Sequence, residues 1–287
     1  MALLDFFNRR TKGKGESAEM SFVDHLEQLR WHLVRSVIAI LLGAIVIFIF
    51  SATIVDKVIF GPAHSDFVTY GILCKVGRFL HLGTSLCINN VKVSFQSNAM
   101  TEQFMSTFTI AFVGGFIIAF PYIFWEFWRF VKPAFTDKEL KRTKGVIVSV
   151  SALFFTGVAF GYYVLTPFMV NFYFSYSLSS LIDIKPTFGD YLENLIYTTV
   201  GIGILFQMPL LVMVLAKLGI ITGTFLRKYR RHAIVVVLIA AAIITPSTDP
   251  FSLMLVTIPL YILFEASILL ASRVEKDRKK ADEKEWS

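Results

Sequence analysis

Residues 33–53 read LVRSVIAILLGAIVIFIFSAT, a nearly unbroken apolar run that decides the class of fold. An α-helix needs about 20 mostly apolar residues to cross roughly 30 Å of hydrocarbon, and this run is long enough. The rest of the chain agrees, because 55% of its 287 residues are hydrophobic, only 17% are charged and the mean hydropathy is +0.64. This composition excludes a soluble globular domain and predicts an all-α, polytopic membrane protein.

Six segments are apolar enough to be membrane spans, and six helices fit the chain as one domain. They cover residues 33–53, 107–128, 146–172, 191–216, 233–246 and 251–270. We expect helices five and six to be short, the fifth because its apolar run is brief and the sixth because Pro259 interrupts it. Helices of that length require a thinned bilayer or a strong tilt elsewhere in the bundle.

The distribution of Lys and Arg predicts the orientation, since cytoplasmic loops are enriched in both residues. Of the 28 basic residues, 23 lie at or before the start of span one, in the loops 129–144 and 217–231, or from Arg273 onward. Both termini are therefore predicted to be cytoplasmic. The net charge of +7 follows from this topology and from contact with anionic membrane lipid, so we expect no nucleic-acid partner.

This orientation divides the chain into three parts and one large outer loop. They are a polar cytoplasmic lead at 1–20, the six-helix domain at 21–272 with its outer loop at about 54–106, and a charged cytoplasmic tail at 273–287. Both cysteines, Cys74 and Cys87, fall in the outer loop. An oxidising compartment would allow a disulfide between them, and two unpaired thiols are the alternative.

The residues just before span one predict an amphipathic helix that enters the bilayer. Ser21 can cap it, with Asp24 three residues later as in a capping box. Leucines form one stripe of this helix, while Glu27 and Gln28 lie on the opposite half. An ordinary interfacial helix with a solvated polar face is the alternative interpretation.

Motifs for catalysis are missing from the sequence. It has no phosphate-binding loop, no dinucleotide fingerprint, no zinc-protease motif and no C-x-x-C pair, and its five histidines lack ligand spacing. We therefore expect no enzyme activity, no cofactor and no metal. Among polar residues in the spans we single out Glu193, Glu265 and Gln207, because intramembrane carboxylates and buried amides are functional candidates that also have structural uses.

Several motifs follow one another in a characteristic order. They are His25-Leu26-Glu27-Gln28-Leu29-Arg30, Phe60-Gly61-Pro62, Phe120-Pro121, Lys132-Pro133-Ala134-Phe135 leading to Glu139, Phe206-Gln207-Met208-Pro209, residues 245–252 (TPSTDPFS) and residues 258–265 (IPLYILFE). With these motifs the chain resembles the TatC family, the multispanning subunit of the twin-arginine protein translocase, from about residue 22 to residue 273.

The resemblance implies a receptor for twin-arginine signal peptides of folded proteins, in the bacterial inner membrane. The residues it assigns to the peptide site are Glu27, Gln28, Arg30, Phe130 and Glu139. The family's usual acid stands where this chain has Gln28, while Glu27 is one residue away, a rotation of about 100° on a helix. Either Glu27 supplies the missing charge or Gln28 acts as a neutral acceptor.

The resemblance also implies partners and an energy source. The partners are single-span subunits of the TatA/TatB type and further copies of the receptor, and the protonmotive force drives transport. Polar positions for contact with partner helices are Gln207, Thr245, Asp249 and Glu265. Two other classes stay open: a secondary transporter, although the sequence shows no repeat between its halves, and a membrane scaffold without a receptor role.

Overall fold

The computed structural model describes residues 22–79, 95–132, 145–175, 179, 185–217, 219–245 and 250–285, and these residues form mainly α-helices. In chain order the helices are α1 (Phe22–Ile49), α2 (Ser51–Ile54), α3 (Val68–Phe79), α4 (Glu102–Val131), α5 (Val146–Phe160), α6 (Thr166–Ser175), α7 (Phe188–Leu205), α8 (Met208–Lys217), α9 (Gly223–Lys228), α10 (Arg230–Ile244) and α11 (Pro250–Glu285).

Five stretches of helix within the described residues are long and apolar enough to span a membrane. They are Glu27–Ile49, Glu102–Val131, Val146–Phe174, Phe188–Lys217 and Leu253–Lys276. The third joins α5 to α6 through a π-helical turn, and the fourth joins α7 to α8. Five of the six predicted spans are thus confirmed as long apolar helices.

The remaining predicted span, 233–246, corresponds to α10. This helix has 15 residues. At 1.5 Å per residue it is about 22 Å long, less than the roughly 30 Å of a typical hydrocarbon core. Helix five is therefore short as predicted, and the count of six spans stays a prediction.

The prediction that the sixth helix is short is wrong. Helix α11 has 36 residues, of which 24 form a candidate span, and Pro259 lies inside it without ending it. Proline removes one backbone hydrogen bond and crowds the preceding turn. In an apolar surrounding the other backbone groups still need intrahelical partners, so the helix continues on both sides of the proline.

Helices α1 and α4 pack as a close antiparallel pair. His32 lies opposite Glu126, and eleven residues further along each helix, in opposite chain directions, Gly43 lies opposite Gly115. A Cβ atom added to Gly115 would lie 2.5 Å from the Ala44 nitrogen, closer than any side chain can approach a backbone. Glycine at this position therefore sets the distance between the two helices.

The third and fourth spans pack through small residues as well. A Cβ atom on Gly157 would lie 2.9 Å from Gly203 Cα, and one on Gly161 would lie 2.7 Å from the Thr198 carbonyl oxygen. Spacing of four residues puts Gly157 and Gly161 on one face of the helix, which is typical of close helix packing in membranes.

The segment after α1, predicted as part of a large loop, is ordered by tyrosines. The hydroxyl of Tyr191 donates to the Ile59 carbonyl at 2.6 Å, and that of Tyr162 donates to the Val58 carbonyl at 2.7 Å. Tyr70 donates to the Pro62 carbonyl at 2.7 Å, and burial raises the pKa of its phenol, so the proton stays available for this bond. These bonds fix the start of the loop to spans three and four.

Candidate functional site

A buried carboxylate holds together the two ends of α1 and α4 that carry Arg30 and Arg129; we call this the basic end of the pair. Glu126 on α4 is 1% exposed. Its Oε2 lies 2.5 Å from Nδ1 of His32 on α1, and its Oε1 accepts a 3.0 Å hydrogen bond from the Tyr122 hydroxyl. A carboxylate this deep is costly unless it is paired, so these bonds tie the two helices together.

Two guanidinium groups flank the same carboxylate at a longer distance. Arg35 NH1 lies 3.9 Å from Glu126 Oε2, and Arg129 NH1 lies 3.7 Å from Glu126 Oε1. Both distances exceed that of a good hydrogen bond, so the attraction is mainly electrostatic. Each arginine side chain is nearly half exposed, and Arg129 also lies over the Trp125 ring at 4.9 Å.

His32 connects this cluster to an aromatic residue predicted to bind the signal peptide. Its ring and the Phe130 ring pack edge to face, at a centroid distance of 6.3 Å and an angle of 67°. Phe130 lies one helical turn beyond Glu126, and Gln28 one turn before His32. The antiparallel register that pairs His32 with Glu126 therefore places Gln28 opposite Phe130.

Four of the five predicted peptide-site residues lie on described helices, three on α1 and Phe130 on α4. Glu27, Gln28 and Arg30 are all exposed, and the Arg30 guanidinium lies 5.6 Å from the Trp31 ring centre. Glu139 lies outside the described residues. The register thus brings Gln28 and Phe130 to the same end of the pair, while Glu27 lies about 100° around α1 from Gln28.

The residues predicted to meet partner helices do not form one cluster. Thr245, just after α10, is buried and donates to the Ala241 carbonyl at 2.7 Å. Glu265 accepts from Arg230 at 2.7 Å and from Tyr261 at 3.1 Å. Arg230, the partner of Glu265, begins α10, whereas Thr245 follows its end. The two predicted residues therefore lie near opposite ends of that helix, which is about 22 Å long.

Gln207 lies at the break between α7 and α8. Its Nε2 is 3.5 Å from the Val150 carbonyl, the limit of a hydrogen bond, and its Oε1 has no partner among the described residues. The Ser151 hydroxyl is in the same situation. Asp249 lies outside the described residues, and Glu193, singled out from the sequence, is exposed on α7.

Of the two cysteines predicted to form a disulfide, Cys74 alone lies among the described residues. Cys74 lies on α3 and is disulfide-bonded in the structure. Cys87 lies outside the described residues, so its pairing with Cys74 stays a prediction.

Sequence reasoning missed Glu126 and His32. An acid within the predicted span 107–128 is costly to bury alone, and this cost was the available signal that a basic partner must face it. What the sequence did not provide was the partner, because His32 is 94 residues away and meets Glu126 only through the register of the pair. Among the described residues, no three His, Cys, Asp or Glu side chains are grouped as metal ligands.

The fold and this site define a multi-pass helical membrane protein with a cluster of charged side chains at one end of a close helix pair. Comparison with known proteins identifies which one: the family model for the Sec-independent protein translocase protein TatC matches residues 24–259, so the chain belongs to the TatC family. It is a component of the Tat pathway, and a membrane transport subunit rather than an enzyme.

Relatives and solved structures agree with this assignment. A TatC from Blattabacterium of Periplaneta americana is 39% identical over 266 residues, which cover 92% of this chain and all of the relative. A TatC from Deinococcus radiodurans is 29% identical over 89% of this chain and 87% of the relative. A crystal structure of the twin arginine translocase receptor TatC in the detergent DDM matches with a TM-score of 0.67 and 29% identity, covering 86% of this chain and 99% of the other.

Proposed function

We propose that this chain is the signal-peptide receptor of the twin-arginine translocase in a bacterial inner membrane, with both termini in the cytoplasm. The observation that carries the proposal is the α1–α4 register, which supports a common site for Gln28 and Phe130 at the basic end of the pair. The matching crystal structures are of a twin arginine translocase receptor.

The binding energy and the selectivity come from different parts of the peptide. An exposed ion pair contributes only about 0–1 kcal/mol, so two peptide arginines cannot supply the whole affinity. Burial of a large apolar side chain contributes about 1.5–3 kcal/mol, so the apolar part of the signal peptide supplies most of it. The arginines select the partner and fix its register, because a carboxylate matches the planar fork of a guanidinium.

Single-span subunits of the TatA/TatB type then join the receptor, and the protonmotive force drives export. Support for a partner helix near α7 and α10 comes from two features. Gln207 keeps a buried acceptor atom for which the described residues offer no donor. In addition, α10 is short and exposes a row of apolar side chains: Val235, Val236, Ile239 and Ile243.

The test is binding of a twin-arginine signal peptide to the purified protein, with a twin-lysine peptide for comparison. Glu139→Ala should weaken twin-arginine binding and Glu139→Asp should retain part of it, because Glu139 is one of two acids, with Asp137, in a loop rich in Lys and Arg. Asp66→Ala, which removes an exposed carboxylate from the loop predicted to be external, is the matched control and should bind normally. Export of a twin-arginine reporter at the normal rate by Glu139→Lys would exclude the receptor function.

A further inference from the structure

The proposed peptide site does not by itself explain the buried acid Glu126 at the basic end of the pair. It brings a buried negative charge between His32 of α1 and two arginines, Arg35 and Arg129. Tyr122 completes its hydrogen bonds. Apart from His32, the charged residues within 4 Å of its carboxylate in the described part of the chain are these two arginines.

The net charge of this cluster determines how strongly it repels a positively charged ligand. The two guanidiniums carry permanent positive charges and are nearly half exposed, so their field reaches the solvent at the basic end. Glu126 offsets part of that field from behind, since NH1 of each arginine lies within 4 Å of one of its oxygens. Without this carboxylate, a peptide with two arginines would approach a more strongly positive surface.

The same carboxylate also fixes the positions of neighbouring side chains. It holds the His32 ring, which packs edge to face with the Phe130 ring. Gln28 lies one turn away from His32 on the same face of α1. A change at Glu126 is therefore transmitted to both Phe130 and the face of α1 that carries Gln28.

We propose that Glu126 is a positioning and specificity-determining residue of the signal-peptide site, which holds His32 against Phe130 and partly offsets the charges of Arg35 and Arg129 so that paired peptide arginines can approach. The inference rests on the proposed function. It assigns the residue no direct contact with the peptide, because its side chain is buried.

The experiment measures the affinity of the purified full-length protein for a twin-arginine peptide as a function of salt. Glu126→Gln keeps the shape and removes the charge. Its affinity should fall about tenfold at roughly 0.05 M salt, and most of the loss should disappear near 0.5 M, because screening shortens the range of the repulsion. Adding Arg129→Gln to this variant should restore affinity at low salt.

The matched control is Glu102→Gln, at the opposite end of the same helix. Glu102 also accepts several hydrogen bonds, from the backbone nitrogens of Gly189 and Asn98 and from Ser97. Its loss should lower stability without a salt-dependent change in peptide affinity. Comparison of the two variants therefore separates loss of stability from loss of charge compensation.

A third variant keeps the inference testable if Glu126→Gln does not fold. Arg129→Gln alone retains the buried carboxylate and removes one exposed cation, so it should bind the twin-arginine peptide about two- to threefold more tightly at low salt. Unchanged or weaker binding by Arg129→Gln, or a Glu126→Gln defect equal at all salt concentrations, would overturn the inference. A wild-type protein that does not distinguish twin-arginine from twin-lysine peptides would instead overturn the proposed function.

Discussion

Substitution of Gly115 by alanine should separate the α1–α4 pair and weaken the protein. The added Cβ would lie 2.5 Å from the Ala44 nitrogen, 2.7 Å from the Ile40 carbonyl oxygen and 2.9 Å from the Ala44 Cα. All three are backbone atoms, so no side chain can turn away to make room. The helices must move apart by roughly 1 Å to restore ordinary contact distances.

The magnitude follows from two opposing effects. Overpacking of a close interface costs about 1–3 kcal/mol. Alanine is favoured over glycine within a helix by about 0.5–1 kcal/mol, which recovers part of that cost. Because the clash involves backbone on the partner helix along a long antiparallel contact, we expect the cost to dominate, with a net loss of roughly 1–2 kcal/mol.

The assay is reversible unfolding of the purified protein in detergent, with Gly71→Ala as the matched control. Gly71 lies in α3, and a Cβ atom there would meet nothing within 4 Å. The control should be as stable as the wild type or slightly more stable, since only the helix preference remains. If Gly115→Ala were as stable as Gly71→Ala, the close approach of α1 and α4 would not be the constraint described above.

Two further predictions concern the ordered segment after α1. Tyr191→Phe leaves the buried Ile59 carbonyl without its 2.6 Å donor and should lower the free energy of unfolding by about 1–3 kcal/mol, whereas Tyr197→Phe, at an exposed position, should change it little in the same unfolding assay. Alkylation of the unreduced protein followed by mass spectrometry should leave Cys74 unmodified, and its modification would show that the thiol is free.

The apolar runs made most of the fold predictable, because long helices in a membrane are determined by local composition. The packing at Gly157 and Gly161 is also a local matter, since their spacing alone puts them on one face. The error at α11 came from Pro259, because proline is a strong helix breaker in water and was assumed to interrupt this helix as well. In an apolar environment a broken helix costs more, so the helix continues through the proline.

The contacts at the site were harder to predict because they are long-range. Glu126 and His32 lie on different helices, and only the register of α1 on α4 makes them partners. The segment at 55–70 was predicted as loop for the same reason. Its order depends on hydroxyls of Tyr162 and Tyr191, which follow it by more than 90 residues.

The register of α1 on α4 also changes how the departure from the family pattern at Gln28 is understood. From the sequence, two explanations stood: Glu27 supplies the missing charge, or Gln28 acts as a neutral acceptor. Gln28, however, lies one turn from His32 and faces α4, whereas Glu27 points about 100° away. A negative charge at position 28 would add to that of Glu126 across the helix pair, so a neutral side chain there is compatible with a carboxylate on the partner helix. We infer that peptide selection depends on the buried acid of α4 together with the polar groups of α1. Glu27 and Gln28 alone therefore do not set the charge of the proposed site.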